Sequence, residues 1–334
     1  MGMLVDGQWT DKWYEPDEKG GFKRSQSRFR NRITLSGASG FKAEPDRYHL
    51  YVSLACPWSH RAVISRKLKG LEGVIGMSVT EPVWRNDGWA FGDAPLDDAV
   101  NGCSYVYELY QLADRRYTGR ATVPVLWDKQ KKTIVSNESS DIVHMLDREF
   151  DDWGDRSVCF YPEELRGEID RVNDFLYERV NNGVYRAGFA TTQEAYDRAF
   201  DELFDALDVL ERRLTHQRYL CGDRLTESDW RLFVTLVRLD PVYLTHFKCN
   251  RRRITQYPAL YAYLRDLYQH PGVRETCDFE HIKSHYFRSH THLNPSRIVP
   301  RGPELDLEAP HGRDRMPGVD RRRKGLYEPE PLAP

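Results

Sequence analysis

The chain has 334 residues and only six cysteines, at positions 56, 103, 159, 221, 249 and 277, with no two at a paired spacing. That argues against a disulfide framework and predicts reduced thiols in the cytosol. Excess charge of one sign is also missing. The formal net charge is −2 and the isoelectric point near 6.6, which argues against the basic face that nucleic-acid binding requires. No apolar run approaches the ~20 residues that span a bilayer. The N-terminal stretch "MGMLVDGQWTDKWYEPDEKGG" lacks an apolar signal segment and reads as mature protein. Val5 and Asp6 stand where a myristoylation signal wants Ser or Thr. Internal repeats are absent. What is present is 40% hydrophobic residues on a chain longer than one core usually supports, so two domains with tails are expected.

Residues 1–46 are polar and rich in Gly and charge, and read as an N-terminal arm outside the core. From "RYHLYVSLA" (47–55) a strand pattern begins, with Tyr48, Leu50, Val52 and Leu54 on one face and Tyr51 and Ser53 on the other. Cys56 follows, then Pro57 in the first turn of a predicted helix to about Lys69, where its missing N–H costs nothing. "GVIGMSVTEPVW" (73–84) reads as a strand, 85–118 as a loop with a short helix, "TVPVLWD" (122–128) and "KTIVSN" (132–137) as strands, and "ESSDIVHMLDREF" (138–150) as a helix. The order β-α-β-α-β-β-α over 47–150 is that of a thioredoxin-like domain. After Pro162 the apolar residues recur at three- and four-residue steps, so 162–292 is predicted to be all-helical. Thr226 and Asp229 there form a capping-box pattern, with Asp in place of the usual Glu. Residues 293–334 are expected to be an extension. Its part from 301 holds six Pro and four Gly with seven basic and seven acidic residues, so little burial is expected and the last twenty or so residues read as disordered.

Cys56, between a strand end and a helix start, lies where unpaired backbone N–H groups favour a thiolate. The alternative is a buried structural cysteine. Ser59 occupies the place of a resolving cysteine, so a reactive Cys56 would form a mixed disulfide with a small thiol, released by a second thiol molecule. Val123-Pro124, at a strand start, is by position alone equally an ordinary trans edge proline, but thioredoxin-like folds use a cis proline here, and within that element order it reads as a cis bond whose bend would offer the Val123 backbone to an extended peptide ligand. In "SNESSD" (136–141), Glu138 and Ser139 at a helix start offer a carboxylate for an ammonium and an N–H and hydroxyl for a carboxylate, the two charges of a γ-glutamyl group. A plain helix cap would use the same residues. Cys277, His281 and His285 stand four apart on a predicted helix, but no fourth ligand has a recognisable spacing, so no metal is expected.

At "CPWSHR" (56–61) the chain resembles the glutathionyl-hydroquinone reductases, the Xi class of glutathione transferases. The likeness runs from about residue 30 to about 303 and includes "DGWAF" (87–91), "TVPVLWD", "IVSNES", "NNGVYRAGFA" (181–190), "DPVYLTHFKCN" (240–250), "HIKSHYF" (281–287) and "HLNPSRIVP" (292–300). Ser59 is an alanine in many members. The resemblance implies a glutathione-transferase fold, α/β plus all-α, in a homodimer without nucleic-acid or membrane partners. It implies no tightly bound cofactor and glutathione, or a related γ-glutamyl thiol, as co-substrate. Carried over by motif, Cys56 is the nucleophile and Tyr185 the proton donor or acceptor toward the hydroquinone. Tyr243 and Tyr286 favour the thiolate, and Trp89, Arg120, Ala121, Thr122, Val123, Glu138 and Ser139 contact glutathione. The competing expectations are an omega-like thiol transferase or dehydroascorbate reductase and a non-enzymatic ligand carrier.

Overall fold

A computed structural model describes residues 2–316. A short hairpin, β1 (Met3–Val5) and β2 (Gln8–Thr10), precedes β3 (Tyr48–Val52), α1 (Pro57–Leu68), β4 (Gly76–Val79), α2 (Val106–Ala113), β5 (Val125–Asp128), β6 (Thr133–Ser136) and α3 (Ser139–Arg148). The sheet order is β4-β3-β5-β6, with β4 parallel to β3 and the other two pairs antiparallel. The alternation expected along β3 is observed. Tyr48, Leu50 and Val52 pack with apolar residues of α1 and α3 on one face, while Tyr51 packs with α2 on the other. Both faces are covered, which is why every residue of the strand is buried.

Two compact units divide the described chain. The first holds residues 2–14, 24–159 and 275–300, and the second 15–23, 160–274 and 301–316. These units cross the boundaries drawn from composition. Leu4, Ile33, Phe41 and Ala43 of the arm are buried in the first unit's cores, because β1 bridges to Gly119 and Thr34 to Lys42. The segment around α10 (Phe279–Ser289) also joins the first unit.

The second unit is helical: α4 (Arg166–Leu176), α5 (Gly183–Gly188), α6 (Gln193–His216), α7 (Glu227–Arg238), the short α8 (Leu244–His246) and α9 (Pro258–Tyr268). The expected capping box is there, with Thr226 N donating to Asp229 Oδ2 at 2.8 Å. Helix α6 packs on α5 and α9, and α4 on α7. Two interruptions were not visible in the periodicity: the chain makes π-helical turns at Tyr177–Asn181 and Leu239–Tyr243.

The expectation of little burial beyond 301 needs correcting. Leu307 is buried, and Arg313 is buried with its guanidinium donating to the carbonyls of Leu214, Gln217 and Arg218 at the end of α6. Those carbonyls lack helical partners, so a distant arginine satisfies them. The disorder expected for the last twenty or so residues falls largely on 317–334, outside the described residues. Among the described residues no helix is long and apolar enough to cross a membrane.

Candidate active site

Cys56 is the N-cap of α1, and Pro57 takes the first helical position. Its Sγ lies 3.5 Å from the Ser59 N–H that points at it and 3.5 Å from the Val123 carbonyl. No acidic residue stands in the first turn of α1, so nothing there opposes an anionic sulfur at the positive end of the helix. The thiol is partly exposed. Ser59, at the second position of a would-be dithiol, is fully buried, and its Oγ accepts from Ser53 N at 3.4 Å. The peptide bond Val123–Pro124 is cis, as expected.

Glu138 caps α3, accepting from Ser140 N at 3.3 Å, and also accepts from the Ser140 and Ser27 hydroxyls at 3.1 and 3.0 Å. Arg61, one turn into α1, spans the gap between the two helices. Its guanidinium donates to Ser139 Oγ at 3.0 and 2.5 Å and lies 3.8 Å from Glu138. Burial pushes the Glu138 carboxyl up, but Arg61 and the bonds from Ser140 and Ser27 outweigh it and hold the group below its ordinary value. The carboxylate therefore stays ionised through the neutral range and is lost only as pH falls through that lowered value. Ser139 Oγ, already accepting from Arg61, keeps its own hydrogen to donate.

Trp89 is buried, stacked on the His285 imidazole at 4.6 Å and 14°, with Trp84 edge-on at 5.4 Å. His285 lies on α10 (Phe279–Ser289), as does buried Tyr286, whose ring meets those of His285 and His290. Arg120 sends its guanidinium to the arm: it lies 3.7 Å from the Tyr14 ring centre and donates to the carbonyls of Gly2 and Lys12. Ala121 is buried, and Thr122 exchanges hydrogen bonds with the Tyr110 hydroxyl through its N–H and carbonyl. The Cys277, His281 and His285 set does not share a helical face, because α10 begins after Cys277. The three have separate partners: His60 Nε2 at 3.8 Å, Ser53 Oγ at 3.3 Å and the Pro82 carbonyl at 2.9 Å. Among the described residues no group of three or more His, Cys, Asp or Glu could hold a metal ion.

Cys56, Trp89, Arg120–Val123, Glu138, Ser139 and Tyr286 all belong to the first unit, and Tyr185 and Tyr243 to the second. The last two are paired edge to face, ring centres 6.1 Å apart, and both meet Phe247, which stacks on Tyr243 at 5.3 Å and 5°. Residue 188 must be glycine for this cluster to form, since a Cβ there would lie 2.2 Å from the Phe247 ring. Gly188→Ala gains up to about 1 kcal/mol of helix propensity. It must also displace a fully buried ring, an overpacking cost of about 1–3 kcal/mol. The expected outcome is a lower urea midpoint together with impaired turnover. A midpoint at or above that of the parent protein would refute the contact. Arg61, Ser27, Gly188 and Phe247 escaped the sequence reading, and His285 entered it only in the set weighed for a metal. Only Arg61, His285, Gly188 and Phe247 lie inside stretches that carried the resemblance.

The glutathione S-transferase N-terminal domain family matches residues 55–149, and the C-terminal domain family residues 193–266. The chain is 53% identical over 324 residues to the glutathionyl-hydroquinone reductase YqjG of Escherichia coli K12, covering 94% of this chain and 99% of the relative. The glutathione-bound structure of YqjG superposes with a TM-score of 0.87 at 51% identity, covering 94% of this chain and 99% of that one. Identity to the glutathionyl-hydroquinone reductase PcpF of Sphingobium chlorophenolicum is 51%, over 92% of this chain and 98% of the relative. A Xi-class glutathione transferase from Natrialba magadii gives a TM-score of 0.88 at 49% identity, covering 94% and 97% of the two chains. With both domain families matched in order, and relatives half identical along nearly the whole length, the chain belongs to the glutathione transferases, in the Xi class of glutathionyl-hydroquinone reductases.

Proposed function

We propose that the protein reduces glutathionyl-hydroquinones to hydroquinones at the expense of glutathione, through a mixed disulfide on Cys56. The observation that carries this is the single thiol: Cys56 caps α1 with Ser59, not a cysteine, behind it. Such a sulfur can take a thiol group from a substrate but must hand it to a second thiol molecule.

A ring hydroxyl loses its proton while the carbon bearing sulfur gains one, giving the keto tautomer. The Cys56 thiolate attacks the substrate sulfur, the carbon–sulfur bond breaks, and its electrons restore the aromatic ring as a phenolate that is then protonated. Cys56 is left joined to glutathione. A second glutathione thiolate attacks that disulfide, releasing oxidised glutathione and the Cys56 thiolate. Tyr185 is assigned the proton transfers, and Tyr243 and Tyr286 the phenol donors that favour the thiolate.

Glu138 takes the ammonium of the γ-glutamyl group, and the Ser139 N–H and hydroxyl its carboxylate. The Val123 N–H, which has no partner among the described residues, pairs with the cysteinyl backbone. Trp89 and the stretch Arg120, Ala121 and Thr122 complete the contacts. The reading includes a homodimer in the cytosol, a compartment that six cysteines outside any disulfide favour.

The test is turnover of a glutathionyl-hydroquinone with glutathione or γ-glutamylcysteine as reductant, beside dehydroascorbate as the competing substrate. One hydroquinone and one disulfide per thiol-conjugate consumed is the expected result. Rapid dehydroascorbate reduction without hydroquinone release would overturn it in favour of an omega-like activity.

A further inference from the structure

Tyr185 and Tyr243, the two site tyrosines in the second unit, are both delivered by π-helical turns. In the first turn Asn182 N donates to Tyr177 O, five residues back, at 2.9 Å, and α5 with Tyr185 resumes one residue later. In the second, Leu244 N donates to Leu239 O, and Tyr243 is the last residue of the turn. One inserted residue rotates the following side chains by about 100° relative to the helix before it. The two rings therefore owe their directions to these insertions rather than to the periodicity of α4 and α7. Single π-helical turns inside helices are often found at functional sites.

One side chain ties the two devices together. Asn181, in the first turn, donates from Nδ2 to the Arg231 carbonyl and to Thr235 Oγ1, both at 2.8 Å. Both acceptors are on α7, the helix that runs into the second turn. Asn181 is 8% exposed, and its Oδ1 accepts no hydrogen bond among the described residues. A buried acceptor left unpaired costs about 1–3 kcal/mol. Fold stability alone therefore does not call for an amide where an apolar side chain of similar volume could pack. What only the amide provides is a fixed register between the two turns.

We infer that Asn181, with Thr235, is a positioning residue for the Tyr185 phenol, held against the Tyr243 ring, and so for proton transfer to the hydroquinone. The inference rests on the role proposed for Tyr185. It goes beyond that role in naming a residue that touches no substrate.

The experiment compares Asn181→Leu and Thr235→Val in two assays: hydroquinone release from a glutathionyl-hydroquinone, and exchange of glutathione with a small alkyl mixed disulfide at Cys56. Misplacing a reacting group by about 1 Å can cost up to 10²-fold, so a loss of about tenfold in kcat for hydroquinone release is expected, with exchange within about twofold of the parent protein. Combined with Tyr185→Phe, either variant should add no further loss, since all act through one phenol. Equal losses in both assays, or losses that multiply with Tyr185→Phe, overturn the inference in favour of a structural role. Should Asn181→Leu not fold, Thr235→Val carries the comparison. If Tyr185→Phe slows release but neither Asn181→Leu nor Thr235→Val does, this inference alone falls. If Tyr185→Phe leaves release unchanged, the proton-transfer reading falls and takes this one with it.

Discussion

Cys56→Ala is expected to abolish reduction of glutathionyl-hydroquinones, with kcat falling at least about a thousandfold, as loss of a covalent nucleophile does elsewhere. Three of the five other thiols are held in the protonated form. Burial and the nearby Asp98 push the Cys103 thiol up, burial pushes Cys221 up to about 12, and burial pushes Cys249 up as well. All three therefore stay protonated at neutral pH and are poor nucleophiles. Cys277 lies 3.8 Å from the His60 imidazole, so Cys277→Ala is the control, and it should retain activity. Cys56→Ser tests the same point differently: the alcohol fits the N-cap but cannot hold a glutathione disulfide. Intact mass after one turnover without free thiol should show one glutathione on the parent protein and none on Cys56→Ala. Parental activity in Cys56→Ala would sink the mechanism.

Much of the local structure of the chain was legible, for a physical reason: its signals are local. The β3 alternation, Pro57 behind Cys56, Val123-Pro124 and the Thr226–Asp229 cap each depend on residues within a few positions of one another. The electrostatics of the site were not legible. Glu138 is held ionised by Arg61 and by Ser27, which is 111 residues away, and Ser139 is oriented by an arginine 78 residues away. Composition cannot reveal a pairing at that separation. The same holds for Arg313, whose charged and proline-rich neighbourhood reads as solvated although the side chain closes the end of α6. The π-helical turns were hidden for another reason. An inserted residue leaves the apolar steps on either side intact and shows only in which way the later side chains point.

Tyr185→Phe is the second large effect expected. It should slow hydroquinone release by about a hundredfold, the lower end of what a positioned proton donor contributes. Exchange between glutathione and a small mixed disulfide should stay within about twofold, because its leaving group is a thiolate that needs no proton delivered to carbon. The substitution removes only the hydroxyl. The ring contacts with Phe247 at 5.2 Å and Tyr243 at 6.1 Å remain available to phenylalanine, so packing does not confound the result. The competing account is that the phenol merely shapes the aromatic wall, in which case KM for the conjugate would change and kcat would not. A solvent isotope effect separates the two further. Proton transfer to carbon in the rate-limiting step gives the parent protein a large effect on hydroquinone release and a small one on exchange. Equal losses in the two reactions, or a change confined to KM, would remove Tyr185 from the chemistry and leave Cys56 acting on a ring carbon with no assigned acid.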